Sequence, residues 1–149
     1  MQTQFWLGST EVPPPGFPFD RLVALKSQKP ELTILIVDDE PIIADTLCAI
    51  LGENGFTAHK AYNAKDGLRL AETLRPAIVL SDVLMPAMSG IQMAIRIKHL
   101  MPETRIVLLS GQAATAELMR RATDDGHNFE LLGKPIHPTD LIATLKRQQ

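Results

Sequence analysis

Cysteine is nearly missing from this 149-residue chain: Cys48 stands alone, which excludes an intramolecular disulfide framework. A single thiol also suits a reducing compartment. Aromatic residues are scarce, with one Trp, one Tyr and five Phe. Four of them, Phe5, Trp6, Phe17 and Phe19, lie ahead of Asp20, which leaves few for a core. The formal net charge is −2 and no Lys/Arg cluster interleaves with aromatics, so the electrostatic footprint of a nucleic-acid binder is missing. No apolar run approaches the roughly 20 residues of a membrane helix, and the N-terminus lacks the basic-then-apolar pattern of a signal peptide. Neither phosphate-cradling glycine motif, GxxxxGK before Ser or Thr or GxGxxG, occurs. His59, His99, His127 and His137 show no paired spacing with Cys or Glu that suits zinc, and His137 before Pro138 fits a helix start. The expectation is a cytoplasmic protein with no nucleic-acid or membrane partner.

What is present is an ordinary globular composition, 45% hydrophobic and 21% charged, long enough for one domain with a proper core. Residues 1–31 differ from the rest. Pro13-Pro14-Pro15-Gly16-Phe17-Pro18-Phe19 cannot carry a regular helix or a central strand, so a flexible extension is expected there, with its aromatics otherwise packing back on the domain or offering a short docking motif. Residues 32–149 form the expected domain. Apolar runs near Leu32 to Val37, Phe56 to Ala61, Ala77 to Ser81, Arg105 to Leu109 and Phe129 to Leu132 read as strands. Helical patterns alternate with them. The first starts at Pro41 and stops at Gly55, and the others span about Ala64 to Leu74, Gly90 to His99, Ala113 to Thr123, and Pro138 onward. Five βα units with right-handed crossovers predict a flavodoxin-like α/β three-layer sandwich around a five-stranded parallel sheet.

Polar residues follow four of the apolar runs. Ile34-Leu-Ile-Val37 reaches Asp38-Asp39, Ala77-Ile-Val-Leu-Ser81 reaches Asp82, Ile106-Val-Leu-Leu109 reaches Ser110, and the last strand reaches Lys134-Pro135. In an open parallel sheet the carboxyl ends of the strands line one crevice, so these residues converge although the chain scatters them. Carboxylates packed together repel, and a hard divalent cation relieves them; Mg²⁺ takes oxygen ligands of this kind. By itself, Asp38-Asp39 ahead of Glu40-Pro41 suits a helix cap as well as a cation site. Met85-Pro86 and Gly90 read as loop geometry, with glycine allowing close approach near a helix start.

In order and spacing these motifs resemble the response-regulator receiver domain, the phosphoacceptor module of bacterial two-component signalling, over roughly Leu32 to Arg147. The resemblance implies that Asp38 and Asp39 are the family's acidic pair, Asp82 its phosphorylated aspartate, Ser110 its switch hydroxyl, and Lys134-Pro135 its lysine with a cis-proline. It also implies that Mg²⁺ is held by Asp39, Asp82 and the backbone carbonyl of Leu84, with Asp38 acting through water. Leu84 and Gln112 are implied to border the path of the water that removes the phosphoryl group. Such a domain is not an enzyme beyond its own phosphorylation and dephosphorylation. The implied partners are a sensor histidine kinase or histidine phosphotransfer protein and a downstream output protein, and the chain leaves no room for an output domain. An output face on the fourth and fifth helices and the strand between them would draw charge from Arg120, Arg121, Lys146 and Arg147. One departure stands out: Leu131 occupies the position that is usually Tyr or Phe, with Phe129 farther along the same strand face.

Alternatives remain open at this point. A phosphorelay intermediate would carry the same residues. A hydrolase with an aspartyl-phosphate intermediate, of the haloacid-dehalogenase-like kind, commonly has a second Asp two residues after the nucleophile, where this chain has Leu84.

Overall fold

The computed structural model describes residues 32–111, 115–127 and 129–147. Residues 1–31 and Gln112 lie outside the described residues, as does the expected start of the fourth helix at Ala113. Strands β1 (Leu32–Val37), β2 (Phe56–Ala61), β3 (Ile78–Asp82), β4 (Arg105–Ser110) and β5 (Glu130–Gly133) alternate with helices α1 (Pro41–Glu53), α2 (Ala64–Leu74), α3 (Gly90–Leu100), α4 (Thr115–Asp124) and α5 (Pro138–Lys146). The strands form one parallel sheet in the order β2-β1-β3-β4-β5. This is the predicted flavodoxin-like arrangement, in which strand order reverses between β1 and β3 and opens a crevice at their carboxyl ends.

Two apolar layers flank the sheet because alternate strand residues point to opposite faces. Leu35, Val37, Val79, Ile106 and Leu108 pack on one face with Ala71 of α2 and Met93, Ala94 and Ile97 of α3. Ile34, Ile36, Ile78, Leu80, Val107 and Leu109 pack on the other with Leu51 of α1 and Leu141 and Leu145 of α5. The helices stop and start where local chemistry directs. Pro41 opens α1, Asn63 accepts from the Asp66 N–H at 2.7 Å to cap α2, and Ser89 and Gln92 form a reciprocal capping box on α3. The His137 side chain caps α5, as its position before Pro138 suggested.

Three strands differ in their bounds from the sequence reading, β4 by ending one residue later, at Ser110. β3 begins and ends one residue later than expected, as does β5. Asp82 pairs with Leu109, and Gly133 with Ser110, so ladder partners on β4 carry both strands one position farther. A long-range tether also holds the lower edge. The Arg105 guanidinium forks onto Glu130 at 2.6 and 2.7 Å and donates to the carbonyls of Thr144, Leu145 and Arg147 at 3.0 to 3.1 Å. It thereby supplies donors to the Leu145 and Arg147 carbonyls and a second donor to the Thr144 carbonyl, which also accepts the Arg147 N–H at 3.3 Å.

Candidate functional site

The site is assembled at the carboxyl ends of β1, β3 and β5. β1 delivers Asp38, whose N–H still bonds to the Ala61 carbonyl of β2 at 3.1 Å, so the carboxylate emerges from a tied backbone. Only 1% of Asp38 is exposed. One of its oxygens accepts the Glu40 N–H at 2.9 Å, while Oδ2 lacks a hydrogen-bond partner. Burial raises the Asp38 carboxyl above its ordinary value, with the neighbouring Asp82 and Asp39 charges adding to the rise and the Glu40 N–H and Lys134 opposing it. The cap reading of the acidic pair therefore holds only in part. Asp38 turns the chain into α1, but the residue at the cap position is Glu40, which makes no side-chain cap bond.

Asp82 is the last residue of β3 and sits beside this buried carboxylate. The carboxylate oxygens of Asp38, Asp39 and Asp82 lie within 4.8 Å of one another. Lys134, just beyond β5, brings its ammonium to 3.2 Å from Asp82 Oδ2 and 4.0 Å from Asp38 Oδ2. The Lys134 N–H bonds the Ser110 carbonyl at 2.8 Å, which places the ends of β4 and β5 side by side. The Lys134-Pro135 peptide is cis, as the resemblance implied.

The donor set suits Mg²⁺. All three side-chain donors are oxygens, one buried oxygen is unsatisfied, and burial already strains the ionised form of Asp38, which a bound cation would relieve.

The loop after β3 is fixed against the strand. Val83 N–H bonds the Leu109 carbonyl at 3.0 Å, and Gly90 N–H bonds the Val83 carbonyl at 2.8 Å. A β-carbon at Gly90 would collide with the Asp82 carbonyl oxygen and fall 3.0 Å from both the Asp82 carbonyl carbon and Ser81 Oγ. Glycine is required here by space, which gives physical content to the close approach read from the sequence. Leu84, by contrast, is 38% exposed.

Ser81 escaped the sequence reading. It is 1% exposed and its hydroxyl donates to the Asp82 carbonyl at 2.9 Å. The signal was a polar residue closing an otherwise apolar strand run. Around β5, Leu131 is 44% exposed, whereas Phe129 packs against the core and stacks with His127 at a ring separation of 6.1 Å. Arg120 and Arg121 are already engaged by Glu117, and Arg120 also by Asp124, so these two cations of the expected output face are partly neutralised within α4.

Known proteins carry the same architecture. A 14.6 kDa protein in the sodA1 3′ region of Leptolyngbya boryana is 34% identical over 78% of this chain and 89% of its own length. Regulatory protein VanR of Enterococcus faecium is 32% identical over 77% of this chain, but this chain spans only 48% of VanR. A solved response regulator receiver domain protein from Clostridium thermocellum, 28% identical, superposes with a TM-score of 0.70 over 76% of this chain and 90% of that one. The family model of the response regulator receiver domain matches residues 34–146, a span that runs from β1 through α5 and contains every site residue named above. With its strand order and its clustered carboxylates agreeing with that match, the chain belongs to the response regulator receiver domain family of two-component systems.

Proposed function

We propose that this protein is a phosphorylation-controlled signalling switch that accepts a phosphoryl group on Asp82. The observation that carries the reading is the Lys134 ammonium 3.2 Å from Asp82 Oδ2 beside two further carboxylates. Asp82 is the nucleophile. An oxygen of its carboxylate attacks the phosphorus of a phosphohistidine on a sensor kinase or phosphotransfer protein, the P–N bond breaks, and the histidine leaves with the electron pair and takes up a proton. Lys134 neutralises a phosphoryl oxygen, and Ser110 turns its hydroxyl toward another. Asp38, Asp39, Asp82 and the Leu84 carbonyl would hold Mg²⁺. Bound there, Mg²⁺ supplies positive charge that offsets repulsion between the carboxylates and the incoming anion. The output reaches a protein partner, and residues 32–149 are the switching unit, with 1–31 an extension to it. An apolar Leu84 two residues beyond Asp82 favours a lasting acyl phosphate over a hydrolase.

Incubation with Mg²⁺ and acetyl phosphate or phosphoramidate, followed by intact mass, tests this. One phosphoryl group per chain is expected, and none on Asp82→Asn, which removes the nucleophile at nearly constant volume. Catalytic turnover of varied phosphomonoesters, or a labile phosphoryl group retained by Asp82→Asn, would overturn it.

A further inference from the structure

Away from the site, an open trough of about 490 Å³ runs between α2 and α3. Its floor is apolar, formed by Leu68 of α2 and Ile95 and Leu100 of α3, and Leu100 is 52% exposed. A second depression of about 440 Å³, lined in part by Met88 and Gln92, shares Ile95 and Arg96 and continues the trough along α3. The lining carries both signs of charge on opposite walls, Glu72 on α2 and Arg96 on α3. Neither Glu72 nor Arg96 makes an ion pair among the described residues.

We propose that this trough is where two copies of the chain meet, related by a two-fold axis, with Glu72 of each copy against Arg96 of the other. The choice of occupant follows from the charges. A partner helix flanked by one sign of charge would be attracted to one wall and repelled by the other. A second copy turned through half a revolution presents Arg96 to Glu72 and Glu72 to Arg96, which is the self-complementarity an isologous contact demands. Ile95 and Leu100 of the two copies then cover one another along the axis, which removes exposed apolar surface from water. The contact is small, so association belongs at the weak, micromolar end of specific interfaces.

Sedimentation velocity on the full chain from micromolar to millimolar concentration tests the proposal. A reversible dimer is expected. Glu72→Arg and Arg96→Glu each place two like-charge pairs in the contact, and each should raise the dimer dissociation constant on the order of tenfold. The double variant Glu72→Arg/Arg96→Glu restores opposite charges and should return to within about threefold of the parent. Both positions are exposed, and far-UV circular dichroism checks that each variant is folded. A chain monomeric throughout leaves the trough to another occupant, such as a helix of a different protein or residues 1–31, and overturns the proposal. So does a dimer indifferent to both reversals, or a double variant as weak as either single one.

Discussion

Gly90→Ala probes how tightly the start of α3 holds Asp82, the proposed phosphoacceptor. The added β-carbon would sit 3.0 Å from the Asp82 carbonyl carbon and nearer still to its oxygen, where non-bonded carbons keep about 3.5–4.0 Å. Relief therefore needs a displacement of about 0.5–1 Å. Neither side yields easily. Asp82 is laddered to Leu109, while α3 is pinned by the Gly90–Val83 hydrogen bond and by the Ser89–Gln92 capping box. Overpacking of this kind costs about 1–3 kcal/mol, offset by somewhat under 1 kcal/mol from better helix propensity. A net loss of about 1–2 kcal/mol is expected in urea unfolding. Catalytic geometry is less forgiving, since a misplacement near 1 Å costs about a hundredfold in rate. Phosphorylation by acetyl phosphate, followed by intact mass against time, should slow by that order. Gly67→Ala is the control. Its β-carbon would crowd Val37 at 2.9 Å and Met93 at 3.0 Å in the packed interior, so it should lose stability while phosphorylating near the parent rate. The reasoning is refuted if Gly90→Ala is folded and phosphorylates within about threefold of the parent, or if Gly67→Ala slows as much.

Other perturbations reach different parts of the molecule. Arg105→Ala takes the side-chain donor from the Leu145 and Arg147 carbonyls, leaves the Thr144 carbonyl with the Arg147 N–H, and removes the fork on Glu130, so about 2–4 kcal/mol should be lost in urea unfolding. Arg105→Lys should recover less than half of that, because an ammonium cannot bridge the same set, and a loss below about 1 kcal/mol for alanine would contradict the tether. Leu84→Asn puts a group that can orient water where the proposed function has an apolar side chain shielding the phosphoryl group, so decay of phosphorylated protein should quicken about three- to tenfold; an unchanged or slower decay rules out shielding. Asp39→Ala should weaken Mg²⁺ binding more than Asp38→Ala in a calorimetric titration, and equal losses would argue against the proposed division between direct and water-mediated ligands. In metal-free protein the raised Asp38 carboxyl costs stability as pH rises above its ordinary 3.8 and through its folded value. Asp38→Asn in EDTA should accordingly be more stable than the parent near neutral pH, with the gap closing below that value, and a parent that is more stable at neutrality would reverse the sign.

Local rules carried far because the fold is built from short, repetitive units. Alternating apolar runs specify strands, and Pro41 and His137 mark helix starts by chemistry that acts within a few residues. Strand ends were less legible, since Asp82 belongs to β3 only by virtue of Leu109 on another strand. Arg105 offered no sequence signal at all. Its partners lie 25 to 42 residues away, and an arginine opening a strand is ordinary until α5 comes to rest beside it.

The sequence by itself determined the order of elements and the parallel sheet, and with them the meeting of Asp38, Asp39, Asp82 and Lys134, because hydrophobic period and turn chemistry are local and a parallel sheet sends all its strand ends to one crevice. Only the tertiary structure decided the electrostatics and the close packing. That Asp38 is buried with one oxygen unsatisfied, that Lys134 reaches Asp82 at 3.2 Å, that Gly90 leaves no room for a β-carbon, and that Glu72 and Arg96 line one trough are all facts of distance between segments remote in the chain. Desolvation, Coulomb interaction and steric contact depend on those distances, and no period in the sequence encodes them.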